Sequence, residues 1–353
     1  MLDFHPLQLE DLPKLRNFFQ YSGSRVCDTT PGTVFIWRDL YKTEWAVYDG
    51  SLYFKVDYPG LGPTFTLPLG GGRPEHYRQI ADYCCRRNMP IAFTPVPRDE
   101  LDRLQEAFPN SAAIANRDAF DYLYRAEDLK FFRGKKLSGQ RNHVNKFLKT
   151  YGTWSFRVIT PEDVPQVEAF LDRYAAGRDK ASASFHEDLA KTREVLDNYD
   201  TYDMLGGMLL VDGQIVGFAL GEIVGDTLFT HIEKADRDYQ GCYQMLVAQF
   251  AQQFAHEGVH FINREDDAAD RGLRTSKLQY GPVKLASKYR FQPQNELLRH
   301  VAAIPELKTE RLTLSALTEA DIPAYNALVL DGERNRWWGY DDVGSLSGPV
   351  EER

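Results

Sequence analysis

The chain is poor in cysteine, has no long apolar run, and in two stretches contains no acid at all. The four cysteines, Cys27, Cys84, Cys85 and Cys242, have neither the spacing of a metal site nor the pattern of a disulfide framework. They are expected to be reduced and buried, as suits a cytoplasmic protein. No segment approaches the ~18 apolar residues that a spanning helix needs. The opening residues 1–6 show neither the basic nor the apolar region of a signal peptide, so none is expected. A lipid substrate would therefore have to be met at a membrane surface. The net charge of -9 excludes a protein that coats nucleic acid over its whole surface. Local basic fields remain open, because Asp and Glu are missing from residues 130–151 and again from 271–294. Something anionic is expected there.

With 43% hydrophobic and 26% charged residues, 353 residues are enough for more than one packed core. Three segments begin alike, each with an acid, an apolar residue and a proline ahead of helical spacing: LEDLPKL (9–15), PEDVPQV (161–167) and EADIPAY (319–325). They recur roughly every 155 residues, an ordinary domain length. Between them strands and helices alternate. Helices are expected over 9–21, 75–87, 99–108, 138–151, 161–174, 185–199 and 241–256. The Asp49-Gly50, Asp212-Gly213 and Gly225-Asp226 pairs read as hairpin turns. The triplet Gly70-Gly71-Gly72 is read as a turn rather than a phosphate loop.

The rest is organised around residues 228–289. An apolar strand ends in His231-Ile232-Glu233-Lys234, and a helix opens at Gly241, where free backbone N–H groups and the helix dipole can receive an anion or a carbonyl oxygen. A second strand runs into Asn263, followed by the charged run Arg264-Glu265-Asp266-Asp267 and the basic residues Arg271, Arg274, Lys277, Lys284 and Lys288. Upstream, the basic stretch 130–149 places Arg141, Asn145 and Lys149 on one helical face.

The pieces HIEKAD (231–236), YQGCYQ (239–244), INREDD (262–267), GLRTSKLQYGP (272–282) and Lys288-Tyr289, with GKKLSGQRNHVNKF (134–147), resemble the C-terminal catalytic domain of phosphatidylglycerol lysyltransferase and its soluble relatives. The resemblance covers roughly residues 5–295. It implies a tandem GNAT-like acyl-CoA N-acyltransferase fold of α/β (α+β) class, with mixed central sheets flanked by helices. An N-terminal GNAT-like domain is expected at 1–128. A C-terminal GNAT-like catalytic domain, including the basic connector helix, is expected at 129–300. The segment 301–353 resembles the opening of a ribosomal-protein-alanine-acetyltransferase-like GNAT domain that stops before a sheet could close. Its polar tail, 341–353, is expected to be poorly ordered.

Such a reaction brings an amine or hydroxyl up to an activated carbonyl, and needs a donor anchor, a group for the oxyanion and a route for a proton. The acetyl-CoA signature Q/R-x-x-G-x-G/A is degenerate here, with Asp238 at its first position and Tyr243 at its last. The resemblance therefore implies an aminoacyl-tRNA donor and an amine or hydroxyl acceptor on a small molecule, a lipid headgroup or a peptide. An acyl-CoA N-acetyltransferase and a non-catalytic module for a phosphorylated ligand remain alternatives. Neither a bound cofactor nor a metal is expected. Glu233 is the candidate general base, with Asp236 next and Asn263 facing it. Arg141, Asn142, Lys146, Gly241, Arg264, Arg271, Arg274, Lys277, Tyr280, Lys284 and Lys288 are the candidate substrate and phosphate ligands. Glu265, Asp266 and Asp267 could hold the donor's amino group or cap the following helix.

Overall fold

A computed structural model describes residues 1–71, 73–176, 182–294, 307–315 and 318–329. The chain divides into two units, Met1–Pro293 and Gln294–Arg353. The larger contains two seven-stranded mixed sheets.

The strands of the first half are β1 (His5–Pro6), β2 (Glu44–Tyr48), β3 (Ser51–Tyr58), β4 (Gly62–Phe65), β5 (Phe93–Pro97), β6 (Ser111–Ala115) and β7 (Asp121–Arg125). Those of the second are β8 (Trp154–Val158), β9 (Leu205–Val211), β10 (Gln214–Val224), β11 (Thr227–Ala235), β12 (Phe261–Asn263), β13 (Lys284–Ala286) and β14 (Lys288–Pro293). The first sheet runs β1-β2-β3-β4-β5-β14-β6 and the second β13-β7-β12-β11-β10-β9-β8. Each sheet thus borrows one strand across the expected boundary at residue 128: β14 enters the first sheet, and β7 enters the second.

Helices α1 (Leu12–Leu15), α2 (Pro31–Ile36), α3 (Pro74–Arg86), α4 (Leu101–Ala107), α5 (Ala126–Phe131) and α6 (Ser138–Thr150) precede α7 (Val164–Ala175), α8 (Ala183–Asp197), α9 (Tyr199–Tyr202), α10 (Cys242–Phe254) and α11 (Arg271–Gln279). Three cores result. Tyr77, Ile80 and Leu104 of α3 and α4 pack on Tyr53, Phe65 and Phe291 of the first sheet. Leu129, Phe147, Leu246 and Phe250 of α5, α6 and α10 cover Tyr122, Leu209 and Ile262 of the second. The third core is shared: Leu15, Phe35 and Phe54 meet Phe170, Val195, Phe218 and Ile232. Apolar faces from both halves are therefore buried against each other, which makes the first 293 residues a single body.

The expected repeat has a common cap. In all three openings an Asp carboxylate accepts the N–H three residues upstream: Asp11 from Gln8 (3.0 Å), Asp163 from Thr160 (3.1 Å) and Asp321 from Thr318 (2.8 Å). In the smaller unit, β15 (Leu307–Lys308) pairs with β16 (Thr313–Leu314), and α12 (Ile322–Val329) follows. Residues 335–340, the tail 341–353 and Gly72 lie outside the described residues.

One expectation fails and one strand goes unannounced, each for a physical reason. The helix expected at 9–21 breaks into a 3-10 turn, the single turn α1 and a second 3-10 stretch, Arg16–Tyr21. Arg16 there donates to the Tyr202 carbonyl at 2.7 Å, and Leu12, Leu15 and Phe19 all enter the core, so tertiary contacts override helical spacing. Strand β6, Ser-Ala-Ala-Ile-Ala, has too little β propensity to announce itself and forms because β14 offers it an edge.

Candidate active site

Strand β11 pairs in parallel with β12 only from Thr227 to Phe229 and then runs on to Ala235, while β12 stops at Asn263. The sheet therefore splays beyond Phe229. On its other side β11 carries a bulge: Leu220 faces Ile232 and Gly221 faces Thr230, leaving His231 as the extra residue. Gly221 is required there, because a Cβ would sit 2.1 Å from the Phe229 carbonyl oxygen. The bulge turns His231 inward.

The His231 ring is buried between two carboxylates, with Nε2 2.9 Å from Glu222 and Nδ1 2.8 Å from Glu265. Burial opposes a charged ring, but the two hydrogen bonds outweigh it and raise the pKa to about 10. Glu222 also accepts the Gly32 N–H at 2.6 Å, and Thr33 donates to Glu265 at 3.3 Å, so the imidazolium ties α2 to the second sheet. A Cβ on Gly32 would lie 2.6 Å from Nε2, which is why this turn of α2 is glycine.

Beside this group lies a second buried cluster. The Lys288 ammonium, on β14, pairs with Asp28 and with Asp121 (2.6 Å) and approaches the Cys27 sulfur at 3.3 Å. Burial alone would neutralise it, but Asp121 and Asp28 hold its pKa well above the ordinary lysine value. Burial, reinforced by Asp121, pushes the Cys27 thiol well up, so it stays protonated. Cys27, Asp28 and Asp121 are the one group with metal-ligating donors among the described residues, and Lys288 already places a cation among them. Tyr41 and Tyr58, with rings 4.5 Å apart, close this side, and burial followed by the Asp28 charge raises both phenols.

The loop after β12 joins the two clusters. Glu265, Ala268 and Ala269 all have positive φ (56°, 46° and 62°), a conformation that L-residues hold only when their surroundings impose it. Asn263 accepts the Glu265 N–H (2.6 Å), Asp266 that of Ala268 (2.9 Å) and Asp267 that of Ala269 (3.2 Å). From α11 the buried Lys277 ammonium donates to the carbonyls of Arg264 (2.5 Å) and Asp266. Arg274 grips the buried Asp267 carboxylate through Nε (2.9 Å) and Nη2 (2.7 Å), and Tyr122 donates to the same carboxylate at 2.5 Å. Held this way, the loop turns Glu265 to His231 and places Asp266 beside Asp28, Asp121 and Lys288. Burial raises the Asp266 carboxyl to about 6, with Lys288 opposing.

Several expected roles are redistributed. Glu233 directs one carboxylate oxygen to both Nε (3.0 Å) and Nη2 (2.6 Å) of Arg264, whose guanidinium lies 4.4 Å over the Tyr280 ring. This pair spans the splay, so Glu233 is committed to Arg264 and Tyr280 to the core rather than to a proton or a base. Asp236 accepts the Asp238 N–H at 2.9 Å and shapes the turn. Asn263 is fully buried, donating to Asp121 (2.9 Å) and the Arg25 carbonyl (2.6 Å). Of the candidate phosphate ligands Arg271, Arg274 and Lys277, which share spacing along α11, Arg274 and Lys277 turn inward to clamp the acidic loop, while Arg271 stays exposed. Lys284 and Lys288, also candidate phosphate ligands, lie on β13 and β14, in different sheets, and Lys284 is exposed 4.0 Å from Asp99. Arg141 caps α5 through the carbonyls of Phe132 (2.5 Å) and Gly134 (3.0 Å). Asn142 and Lys146 are exposed on α6. Gly241 (φ +81°) opens α10 as expected, but α6 packs onto it: a Cβ there would sit 2.2 Å from the His143 carbonyl oxygen. Asp270, not Asp266 or Asp267, caps α11.

Asp28, Asp121, Glu222 and Thr33 had no local signal. The pointer available was Lys288, a lysine at the start of a strand in an acid-free stretch, which must find its carboxylates elsewhere in the chain.

The sequence profile of the family described as phosphatidylglycerol lysyltransferase, C-terminal, matches residues 19–292. The chain belongs to this family. A conserved protein of unknown function from Bacteroides thetaiotaomicron is 29% identical, with a TM-score of 0.77 over 83% of this chain and 100% of that one. The C-terminal domain of a putative lysylphosphatidylglycerol synthetase from Agrobacterium fabrum (15% identity, TM-score 0.57, 81% and 93% covered) and L-PGS from Bacillus licheniformis (14%, 0.56, 82% and 94%) share the fold. An uncharacterised protein of Mycoplasmoides gallisepticum is 27% identical over 177 residues, half of this chain and 57% of its own length. The two mixed sheets flanked by helices are thus the fold of the lysyltransferase C-terminal family.

Proposed function

We propose that the chain transfers an aminoacyl group from tRNA to an amine or hydroxyl acceptor at the acidic cluster around His231 and Lys288. The observation that carries this reading is an excess of enclosed acid. Buried Asp121 and Glu222 and half-buried Asp28, Glu265 and Asp266 gather around three cations, Lys288, His231 and Lys277. Buried negative charge calls for a cation. An aminoacyl donor brings one, its ammonium, whereas a plain acyl-CoA does not. The places where an acyl-CoA would lie are also filled. The Glu233–Arg264 pair closes the splay, and α6 covers the start of α10.

In this reading Asp266 takes the proton from the acceptor O–H or N–H as that atom attacks the ester carbonyl. The bond to the tRNA 3′ oxygen then breaks, and Asp266 returns the proton to that oxygen as it leaves. A carboxylate titrating near 6 is ionised at neutral pH yet basic enough to accept the proton. The acceptor class follows the family only as far as an amine or hydroxyl.

The test follows loss of a labelled amino acid from a charged tRNA mixture, with and without candidate acceptors, alongside thermal shifts with tRNA and with acetyl-CoA. Charged tRNA should stabilise the protein and be deacylated with an acid limb near pH 6, and Asp266→Asn should slow turnover about 100-fold or more. Stabilisation by acetyl-CoA alone would reject the reading.

A further inference from the structure

We propose that an opening in the first sheet, beside Asp28, seats the side chain of the transferred amino acid and admits one of methyl size, so that the chain favours an alanyl over a lysyl donor. The inference rests on the proposed aminoacyl donor and names the amino acid that its site would take.

The opening follows from how β5 is paired. Strands β4 and β5 run parallel and share a single register pair, Phe65 with Phe93. Beyond it the chain leaving β4 turns away: Thr66 donates to the Phe54 carbonyl (3.1 Å) and Leu69 to that of Leu52 (2.9 Å). Strand β5 stays with β14, and the Arg98 N–H just past its end donates to the Ser287 carbonyl at 3.3 Å. Backbone N–H groups alternate sides along a strand, so positions 95 and 97 face the opened edge. Both are proline. Proline has no N–H, so the strand can stand open there without stranding a donor.

The resulting niche is mostly apolar. Phe54, Leu67 and Leu69 line one side and Pro95 and Pro97 the other, and Asp28 is the one charged residue of the lining. Leu67 is half-buried and the Asp28 side chain is 21% exposed, so solvent reaches both. Lys288 pairs with the Asp28 carboxylate, which keeps lone pairs for a second cation. In an aminoacyl ester the ammonium and the side chain branch from the same carbon. A carboxylate adjoining an apolar niche suits that carbon: the ammonium meets Asp28, and the side chain enters between Leu67 and Pro95.

Room decides the size. The niche offers ≈ 20 Å³, about what one water-sized group needs, and a methyl is such a group. A lysyl side chain would bring a run of methylenes and a second ammonium, and no second acid lines the niche to receive it. The rings of Pro95 and Pro97 also hold their backbone fixed, so that wall yields little.

The test measures loss of labelled amino acid from tRNAs charged singly with alanine, glycine, valine or lysine. Alanyl-tRNA should lead glycyl- and valyl-tRNA by about tenfold and lysyl-tRNA by about 100-fold or more. Leu67→Ala, which widens the niche, should raise the valyl rate relative to the alanyl rate about tenfold. The order of the four donors is read on the unaltered chain, so the test stands even if Leu67→Ala fails to fold. Lysyl-tRNA used as fast as alanyl-tRNA, or a valyl rate unmoved in folded Leu67→Ala, would overturn the niche while leaving aminoacyl transfer intact. Loss from none of the four would remove both readings.

Discussion

His231, with its buried ring, and half-buried Asp266 both titrate beside the same turn, but they shift stability over different pH windows. The folded pKa of His231, about 10, exceeds the ordinary 6.5, so its contribution is fully present below pH 6.5 and is lost as pH rises toward 10. His231→Phe should cost about 3–5 kcal/mol at pH 7, because it strands two buried carboxylates, and chemical denaturation should show that deficit shrinking toward pH 10. A deficit unchanged from pH 7 to 10 would mean the ring acts by packing rather than by charge. Asp266 is a carboxyl whose folded pKa, about 6, lies above its ordinary 3.8. Its contribution is present below 3.8 and lost as pH passes 6, so the ionised form weighs against folding at neutrality. Asp266→Asn should therefore raise the melting temperature at pH 7–8 and leave it unchanged at pH 4. The gain is at most about 3 kcal/mol by the pKa difference, accompanied by lost turnover. A variant that is less stable at pH 8 would show that the carboxylate is structural.

At the scale of elements, α11 works as a clamp. Lys277 and Arg274 reach inward on either side of the strained turn 265–269, and Asp270 caps the helix that carries them. Lys277→Met would leave the carbonyls of Arg264 and Asp266 without their buried donor. The expected loss is about 2–4 kcal/mol, with faster amide exchange confined first to residues 263–270. Uniform protection across that loop in the variant would argue that Asn263 and Asp267 suffice to hold it. The same element shows what was legible in the sequence. Hairpin turns, the meander β9 to β11, the helix opening at Gly241 and the charged loop could be read directly, since periodicity and turn chemistry are local. The direction of Arg274 and Lys277 could not. Their spacing on a helix was right, but the face they share turns toward Asp267 and two carbonyls, and only the tertiary structure brings those groups within reach. The bulge that turns His231 inward was equally hidden, because it depends on the Phe229 carbonyl standing against Gly221.

For the molecule as a whole, the two sheets are not two consecutive lengths of chain. Strand β14 lies between β5 and β6, and β7 lies between β12 and β13, so a cut at residue 128 takes an interior strand out of each sheet. A fragment 1–128 would lose Phe291, which packs its ring 6.3 Å from Phe93 and 6.4 Å from Phe108, and would lose Lys288 from between Asp28 and Asp121. A fragment 129–293 would lose Tyr122 and Tyr124 from its core and Tyr122 from the Asp267 clamp. Each would also expose its side of the shared core, where Phe35 and Phe54 meet Phe170 and Phe218. Neither fragment should show a cooperative thermal transition by itself, because removing an interior strand unpairs two ladders and uncovers apolar area at once. Co-expressed, the two should associate through that core and recover one shared transition. The measurement is differential scanning calorimetry of each fragment and of the co-purified pair. A sharp, independent endotherm from 1–128 would mean that β6 and β14 are dispensable to the first sheet. Mutual dependence would instead explain why a site assembled from Asp28, Asp121, His231, Asp266 and Lys288 draws on both halves of the chain.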